Sequence, residues 1–207
     1  MDIVEKAALV AITAHEAAGQ KRKFTGEPYW HHPRAVADLI GRYTDDKNII
    51  AAGWLHDVVE DTHIDREHIF SHFGPDVGTM VGYVTKQNPY GEDDSRNILY
   101  EIKRLIGAPA NVQLLKLCDI HCNIEDMRPE CGFLFISEWL PKKFAMILAI
   151  KQTSSEYGEL CDQTIRLART MVNTHFPRTS VVRLFGNGVN LLGKAMFFNP
   201  EEEATNV

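Results

Sequence analysis

The sequence predicts an all-α fold, with one helical domain and a short segment after it. Apolar residues recur at helical spacing along nearly the whole chain of 207 residues. No convincing run of alternating β-branched residues occurs before Val181-Val182, so a sheet is not indicated. A hydrophobic content of 44 % is ample for one core at this length. We therefore expect a bundle of about eight to ten helices in residues 1–176, and a partly irregular C-terminal extension in residues 177–207.

Glycine and proline residues separate the predicted helices in order. The first helix ends before Gly19, and Pro33 suits the first turn of the second. Gly91 and Pro109 precede two helices in the middle of the chain. We predict helices over residues 2–18, 33–43, 47–61, 65–72, 75–85, 94–107, 110–127, 139–152 and 156–175.

Composition and charge argue against several classes of partner. The net charge of −6 argues against nucleic acid, because a phosphate backbone requires clustered Lys and Arg. No apolar run approaches the roughly 18 residues that span a membrane, and residues 1–6 lack the basic start of a signal peptide. We expect a cytoplasmic protein whose four cysteines stay reduced, since none forms a C-x-x-C pair. A small anionic substrate remains open, and the sequence does not indicate an oligomeric state.

The octet at residues 55–62 places four metal- or proton-handling side chains within about one and a half helical turns. On a helix, His56 and Glu60 are i,i+4 neighbours, as are Asp57 and Asp61. An adjacent His-Asp pair offers nitrogen and oxygen ligands to a divalent ion such as Mn, Fe, Co, Ni or Zn, and leaves the other two carboxylates for proton transfer. The alternative interpretation is a solvated acidic helix end.

Two further segments carry candidate site residues. Residues 19–33 form a basic loop that ends with His32 at a helix start, where a capping or surface histidine is the alternative interpretation. In the second segment Lys116, Asp119, Asn123 and Asp126 share one face of a helix that is otherwise apolar. A buried carboxylate on that face needs a partner, and a metal ion is an effective one.

The segments "GEPYWHHP", "WLHDVVEDT", "FGPDVGTMVGYVTK" and "KLCDIHCN" follow one another in an order that resembles the HD-domain hydrolases of the RelA/SpoT homologue family. The absence of a synthetase-length extension resembles the small stand-alone alarmone hydrolases of that family. The resemblance implies the HD-domain helical fold and removal of the 3′-pyrophosphate from guanosine tetra- or pentaphosphate. It identifies the metal ligands as His32, His56, Asp57 and Asp119, with Mn²⁺ the usual ion.

The resemblance also implies roles for the remaining candidates. Glu60 and Asp61 would be the catalytic acidic pair. The predicted substrate-binding residues are Arg22, Lys23, Tyr29 and Asn123, and for Tyr29 a buried structural role is the alternative.

The chain departs from the family pattern at two positions. Ile120 stands in the Asp-Arg-Leu-x-Asn motif where the family often has Arg, and Glu125 stands where another Arg is frequent. Two other functions stay open for this reason. One is a metal-dependent phosphohydrolase acting on another nucleotide, such as a nucleoside monophosphate or the 2′-phosphate of NADPH. The other is a non-catalytic nucleotide-binding regulator.

Overall fold

The computed structural model describes residues 1–177 and 179–200, and their regular secondary structure is helical. The helices are α1 (Ile3–Ala17), α2 (His31–Ile40), α3 (Lys47–Leu55), α4 (Val58–Asp61), α5 (Arg66–Val84), α6 (Asp94–Ile106), α7 (Ala110–Glu125), α8 (Phe133–Thr153), α9 (Gly158–His175) and α10 (Val181–Phe197). The predicted all-α fold is confirmed. In the part of the chain that is described, no helix is both long enough and apolar enough to cross a bilayer.

Aspartate and serine side chains begin several of the helices. Asp2 accepts a hydrogen bond from the Val4 amide and forms a capping box with Glu5 at the start of α1. Asp46, Asp65, Asp93 and Ser180 accept from first-turn amides of α3, α5, α6 and α10. These oxygens satisfy amides that lack a partner within the helix, so local sequence fixes where these five helices begin.

The chain divides into two compact units. The first comprises Met1–Lys86 and Pro109–Asp126, and the second comprises Gln87–Ala108 and the described residues from Met127 onward. In the first unit, α3 packs against α1, α2, α5 and α7, and α2 also packs against α7. In the second unit, α8 packs against α6, α9 and α10.

Helix α7 contributes many side chains to the core of the first unit. Leu114, Leu115, Leu117, Ile120 and Ile124 have no exposed surface, as the apolar circumference of this helix predicted. Each such side chain contributes roughly 1.5–3 kcal/mol when it leaves water. Burial of this order holds α7 in place and fixes the position of its polar face.

The predicted helix at 47–61 is wrong in one respect, because it breaks between Leu55 and Val58 into α3 and α4. The predicted helices at 65–72 and 75–85 are both present within α5, whose helical geometry is interrupted at Gly74, with a φ of 85° and a ψ of 171°, just before Pro75. Proline cannot continue the hydrogen-bond ladder of the preceding turn, and glycine tolerates a positive φ, so the chain kinks between the two helical stretches.

Two differences concern the C-terminal part. Helix α8 begins at Phe133 rather than at residue 139. The segment expected to be partly irregular contains the regular helix α10, whose Leu184, Phe185 and Leu192 are buried. A Cβ on Gly188 of α10 would lie 2.8 Å from the Pro141 carbonyl oxygen of α8. The absence of a side chain at Gly188 therefore allows α10 to pack closely on α8. The boundary at residue 177 stays a prediction, and the acidic end at 201–203 lies outside the described residues.

Candidate active site

His32 enters the site from the first turn of α2. Its side chain is 1 % exposed, and neither ring nitrogen has a hydrogen-bond partner among the described residues. The loop before it is closed by an isolated bridge between Lys21 and Pro28 and by a hydrogen bond from the Tyr29 amide to the Gln20 carbonyl. A buried nitrogen without a partner is costly unless something else occupies it.

His56 and Asp57 lie in the break between α3 and α4. Neighbours on a regular helix point about 100° apart, whereas here the Nε2 of His56 lies 2.9 Å from an Asp57 carboxylate oxygen. His56 keeps helical backbone angles, whereas Asp57 departs from them with a φ of −100° and a ψ of −6°, and the two side chains approach one another. His56 Nδ1 lies 2.8 Å from the Gly53 carbonyl oxygen, and because a carbonyl only accepts, Nδ1 donates. That bond orients the ring so that Nε2 faces the carboxylates.

Asp119 projects from the polar face of α7 and completes the cluster. Its Oδ1 lies 3.3 Å from Nε2 of His32 and 3.7 Å from Nε2 of His56. One ligand atom from each of these three residues lies within 4.8 Å of the other two. Asp57 adds an oxygen 3.6 Å from the His32 nitrogen. Two imidazoles and two carboxylates are a donor set that suits a borderline divalent ion, and such an ion would satisfy the buried Nε2 atoms of both histidines.

The electrostatics of the cluster favour bound positive charge. Burial lowers the pKa of His56, but the Asp57 and Asp119 carboxylates outweigh it and raise that pKa to about 10. Burial likewise opposes ionisation of the two carboxyl groups. For Asp57 the neighbouring histidines, and for Asp119 chiefly Lys116, hold the pKa well below the usual range. A proton and a metal cation are thus alternatives at His56 Nε2.

Two predicted substrate-binding residues hold the cluster carboxylates. The hydroxyl of Tyr29 donates to Asp57 Oδ2 at 2.7 Å, and burial raises the pKa of Tyr29, which keeps it a donor. Asn123 donates from Nδ2 to Asp119 Oδ1 at 2.6 Å. Their predicted contact with substrate is not tested by this geometry. Each of the two side chains donates a hydrogen bond to a candidate metal ligand, and such a bond orients the ligand.

The predicted basic residues stand apart from one another. Arg22 Nη2 donates to Asp126 Oδ2 at 2.6 Å and to Asn123 Oδ1 at 3.1 Å. Lys23 is exposed, with its ammonium 5.3 Å from the centre of the Phe24 ring. Arg22 therefore joins the hydrogen-bond chain that leads through Asn123 to the cluster, whereas Lys23 packs on its neighbour in the loop.

The acidic pair lies on α4. Glu60 Oε1 accepts a hydrogen bond from the backbone amide of Lys86, which follows α5. Partial removal from water raises the pKa of Glu60 above its ordinary value, although this amide opposes the rise. The Asp61 side chain is half-buried, and its amide donates to the Asp57 carbonyl at 3.0 Å. A carboxylate with a raised pKa beside a candidate metal centre is suited to proton transfer.

Lys116 lies on the same face of α7 as Asp119, as its spacing predicted, and its Nζ is 3.0 Å from Asp119 Oδ2. Sequence reasoning missed one residue close to this cluster. His15 on α1 has no exposed surface; its Nδ1 pairs with Gln20 Oε1 at 2.5 Å and its ring centre lies 4.8 Å from that of Tyr29. Among the positions that depart from the family pattern, Ile120 is fully buried in the core.

Several curated proteins are similar to this chain over part of their length. A probable guanosine-3′,5′-bis(diphosphate) 3′-pyrophosphohydrolase of Synechocystis sp. is 46 % identical over 77 residues, which are 37 % of this chain and 10 % of that protein. A GTP pyrophosphokinase of Myxococcus xanthus is 38 % identical over 95 residues, or 46 % of this chain and 12 % of that protein. A GTP pyrophosphokinase of Streptomyces coelicolor is 35 % identical over 127 residues, or 60 % of this chain and 15 % of that protein. The chain thus spans only 10–15 % of the length of these relatives.

A solved structure and a family model extend the comparison. The structure of a metazoan orthologue of SpoT, described as hydrolysing ppGpp, matches 80 % of this chain and 95 % of its own with a TM-score of 0.68. At 22 % identity this likeness shows the fold. The model of the family described as HD domain matches residues 7–130, which is more than half of the 207 residues and includes every candidate metal ligand. The chain belongs to the HD-domain family.

Proposed function

We propose that this protein removes the 3′-pyrophosphate from guanosine tetra- or pentaphosphate, releasing GDP or GTP and pyrophosphate. The observation that carries the proposal is the convergence of His32, His56, Asp57 and Asp119 on one point, with the acidic pair on the adjoining α4. The partial likeness to the Synechocystis pyrophosphohydrolase supports the choice of substrate class. Retention of both acidic residues supports an enzyme over a non-catalytic regulator.

We infer that the four ligands hold a divalent ion, and we propose Mn²⁺. Mixed imidazole and carboxylate ligands suit ions of this kind. When bound, the ion would polarise a phosphate oxygen and lower the pKa of the attacking water.

The protein's own residues would then perform the remaining steps. We assign to Glu60 the removal of a proton from the attacking water, through the carboxylate oxygen that the Lys86 amide does not occupy. The water oxygen bonds to the phosphorus attached to the ribose 3′-oxygen, and the bond from that phosphorus to the ribose oxygen breaks. The ribose 3′-oxygen takes up a proton from solvent water as it leaves, and we assign to Asp61 the orientation of the attacking water. Tyr29 and Asn123 hold Asp57 and Asp119 in place.

A nucleotide panel tests the proposal. Protein loaded with Mn²⁺ is incubated with guanosine tetraphosphate, nucleoside monophosphates and NADPH, and the products are separated by chromatography. We expect GDP and pyrophosphate from guanosine tetraphosphate. Release of orthophosphate from one of the other compounds alone, or no turnover of any compound, would contradict the assignment.

A further inference from the structure

The backbone that follows α5 contacts Glu60, one of the two residues of the acidic pair. The Lys86 amide donates to Glu60 Oε1, and the preceding residue is fixed because the Thr85 amide and hydroxyl both donate to the Val81 carbonyl, at 2.9 and 2.7 Å. The main chain of Lys86 is thus held beside Glu60. Its side chain is exposed, and in the described part of the chain its ammonium has no hydrogen-bond or ion-pair partner.

Two other cations of this unit are already engaged by carboxylates. Arg22 pairs with Asp126, and Lys116 pairs with Asp119. A substrate with diphosphate groups would bring several more negative charges to a cluster that is rich in carboxylates. The divalent ion proposed above would offset part of this charge, and a side-chain cation close to the phosphates would offset more of it.

We propose that Lys86 is a substrate-binding residue whose ammonium contacts the diphosphate group next to Glu60. This inference rests on the proposed function. The anchored amide keeps the start of the side chain beside Glu60, and the flexible four-carbon stem lets the ammonium follow the phosphate oxygens. Lysine suits this task because its ammonium acts as a compact charge without a fixed hydrogen-bond geometry.

The amide contact also makes the residue testable without disturbing Glu60. Any residue except proline keeps the backbone N–H, so Lys86→Met removes the charge and preserves the hydrogen bond to Glu60. Lys86→Arg restores a cation. Lys47→Met is the matched control, since Lys47 is an exposed lysine of the same unit whose partner is Asp2.

Binding of inorganic pyrophosphate to the Mn²⁺-loaded protein, measured by calorimetry, is the first readout. We expect Lys86→Met to raise the Kd for pyrophosphate about tenfold, Lys86→Arg to restore most of the affinity, and Lys47→Met to leave it unchanged. The second readout is turnover of guanosine tetraphosphate, where Lys86→Met should raise KM about tenfold and change kcat less than threefold.

If the Lys86 ammonium only stabilises the end of α5, Lys86→Met should lower the unfolding temperature and leave both readouts unchanged. That result would overturn the inference. Failure of the parent protein to bind pyrophosphate would also overturn it. If the parent does not hydrolyse guanosine tetraphosphate but Lys86→Met still weakens pyrophosphate binding, the proposed substrate is wrong and the assignment of Lys86 stands.

Discussion

Two kinds of side chain form the candidate metal site. The histidines and aspartates of the cluster are the candidate ligands, and Tyr29 and Asn123 donate hydrogen bonds to the aspartates. The residue types of the candidate ligands could be predicted, because an adjacent His-Asp pair and a lone carboxylate on an apolar helix are recognisable in the sequence. The contact between Arg22 and Asp126 could not, because it joins residues 104 positions apart that only the tertiary fold brings together. Sequence patterns report neighbours along a helix or strand, and such long-range pairs leave no trace in them.

The first prediction concerns the metal ligands. His56→Ala, Asp57→Ala and Asp119→Ala should each lose bound Mn²⁺ and turnover, because an ion held by four ligands loses much of its affinity with any one of them. Metal content after dialysis is measured by atomic emission. Unchanged metal content in all three variants would mean that the ion lies elsewhere.

The second prediction separates proton transfer from metal binding. Glu60→Gln and Asp61→Asn should keep the metal and lower kcat by about a hundredfold or more. The raised pKa of Glu60 adds a pH test. A base with a raised pKa stays protonated to higher pH, so kcat/KM should fall as pH drops, and the fall should begin at a higher pH than for an ordinary glutamate. That acidic limb should be absent in Glu60→Gln. A metal-free variant would instead identify the altered residue as a ligand.

The third prediction concerns the acidic partner of Arg22. Asp126→Asn removes the charge that engages Arg22, so the guanidinium should become more available to phosphate and KM for guanosine tetraphosphate should fall severalfold. Asp162→Asn, which alters an exposed aspartate paired with Lys151 in the other unit, is the control. A KM that rises in Asp126→Asn would show that the pair is needed to position Arg22.

Helix α3 shows which features of an element the sequence could predict. Its start at Lys47 was predicted, and its apolar residues Trp54 and Leu55 are buried. Its end was not predicted, since residues 56–61 are as compatible with a helix as those before them. At the break, Asp57 contacts His32 and His56 contacts Asp119, and helical spacing does not indicate such long-range contacts.

The fourth prediction tests how closely α3 approaches α2. A Cβ on Gly53 would lie 2.8 Å from Ile40 Cδ1 and 3.0 Å from the Ala37 Cα, and the latter is main chain that cannot easily yield. Gly53→Ala should therefore lower the free energy of unfolding by about 1–3 kcal/mol. Gly186→Ala in α10 is the matched control: nothing lies within 4 Å of its Cβ position, so it should stabilise by about 0.5–1 kcal/mol. Urea denaturation measures both, and a shared sign would contradict the packing argument.

The division of the chain into two compact units was not predicted from the sequence. Residues 87–108 group with the described residues beyond 126, a division that helical periodicity does not indicate. The single domain expected over residues 1–176 stays a prediction. Helical periodicity indicates which face of a helix is buried but not which other helix covers it. Every candidate site residue nevertheless falls within the first unit, which also holds α7 and its buried leucines.

The last prediction follows from that placement. An ion that binds the folded first unit and not the unfolded chain stabilises by about 2.7 kcal/mol at a concentration of 100 times its Kd. Mn²⁺ should therefore raise the unfolding temperature of the parent protein by several degrees and leave Asp119→Ala unaffected, as scanning calorimetry would show. Because the ligands come from α2, α7 and the turn between α3 and α4, hydrogen exchange should slow in those segments first. If Mn²⁺ instead slowed exchange mainly in α9, a helix of the second unit, the ion would be bound outside the cluster formed by the two histidines and two aspartates.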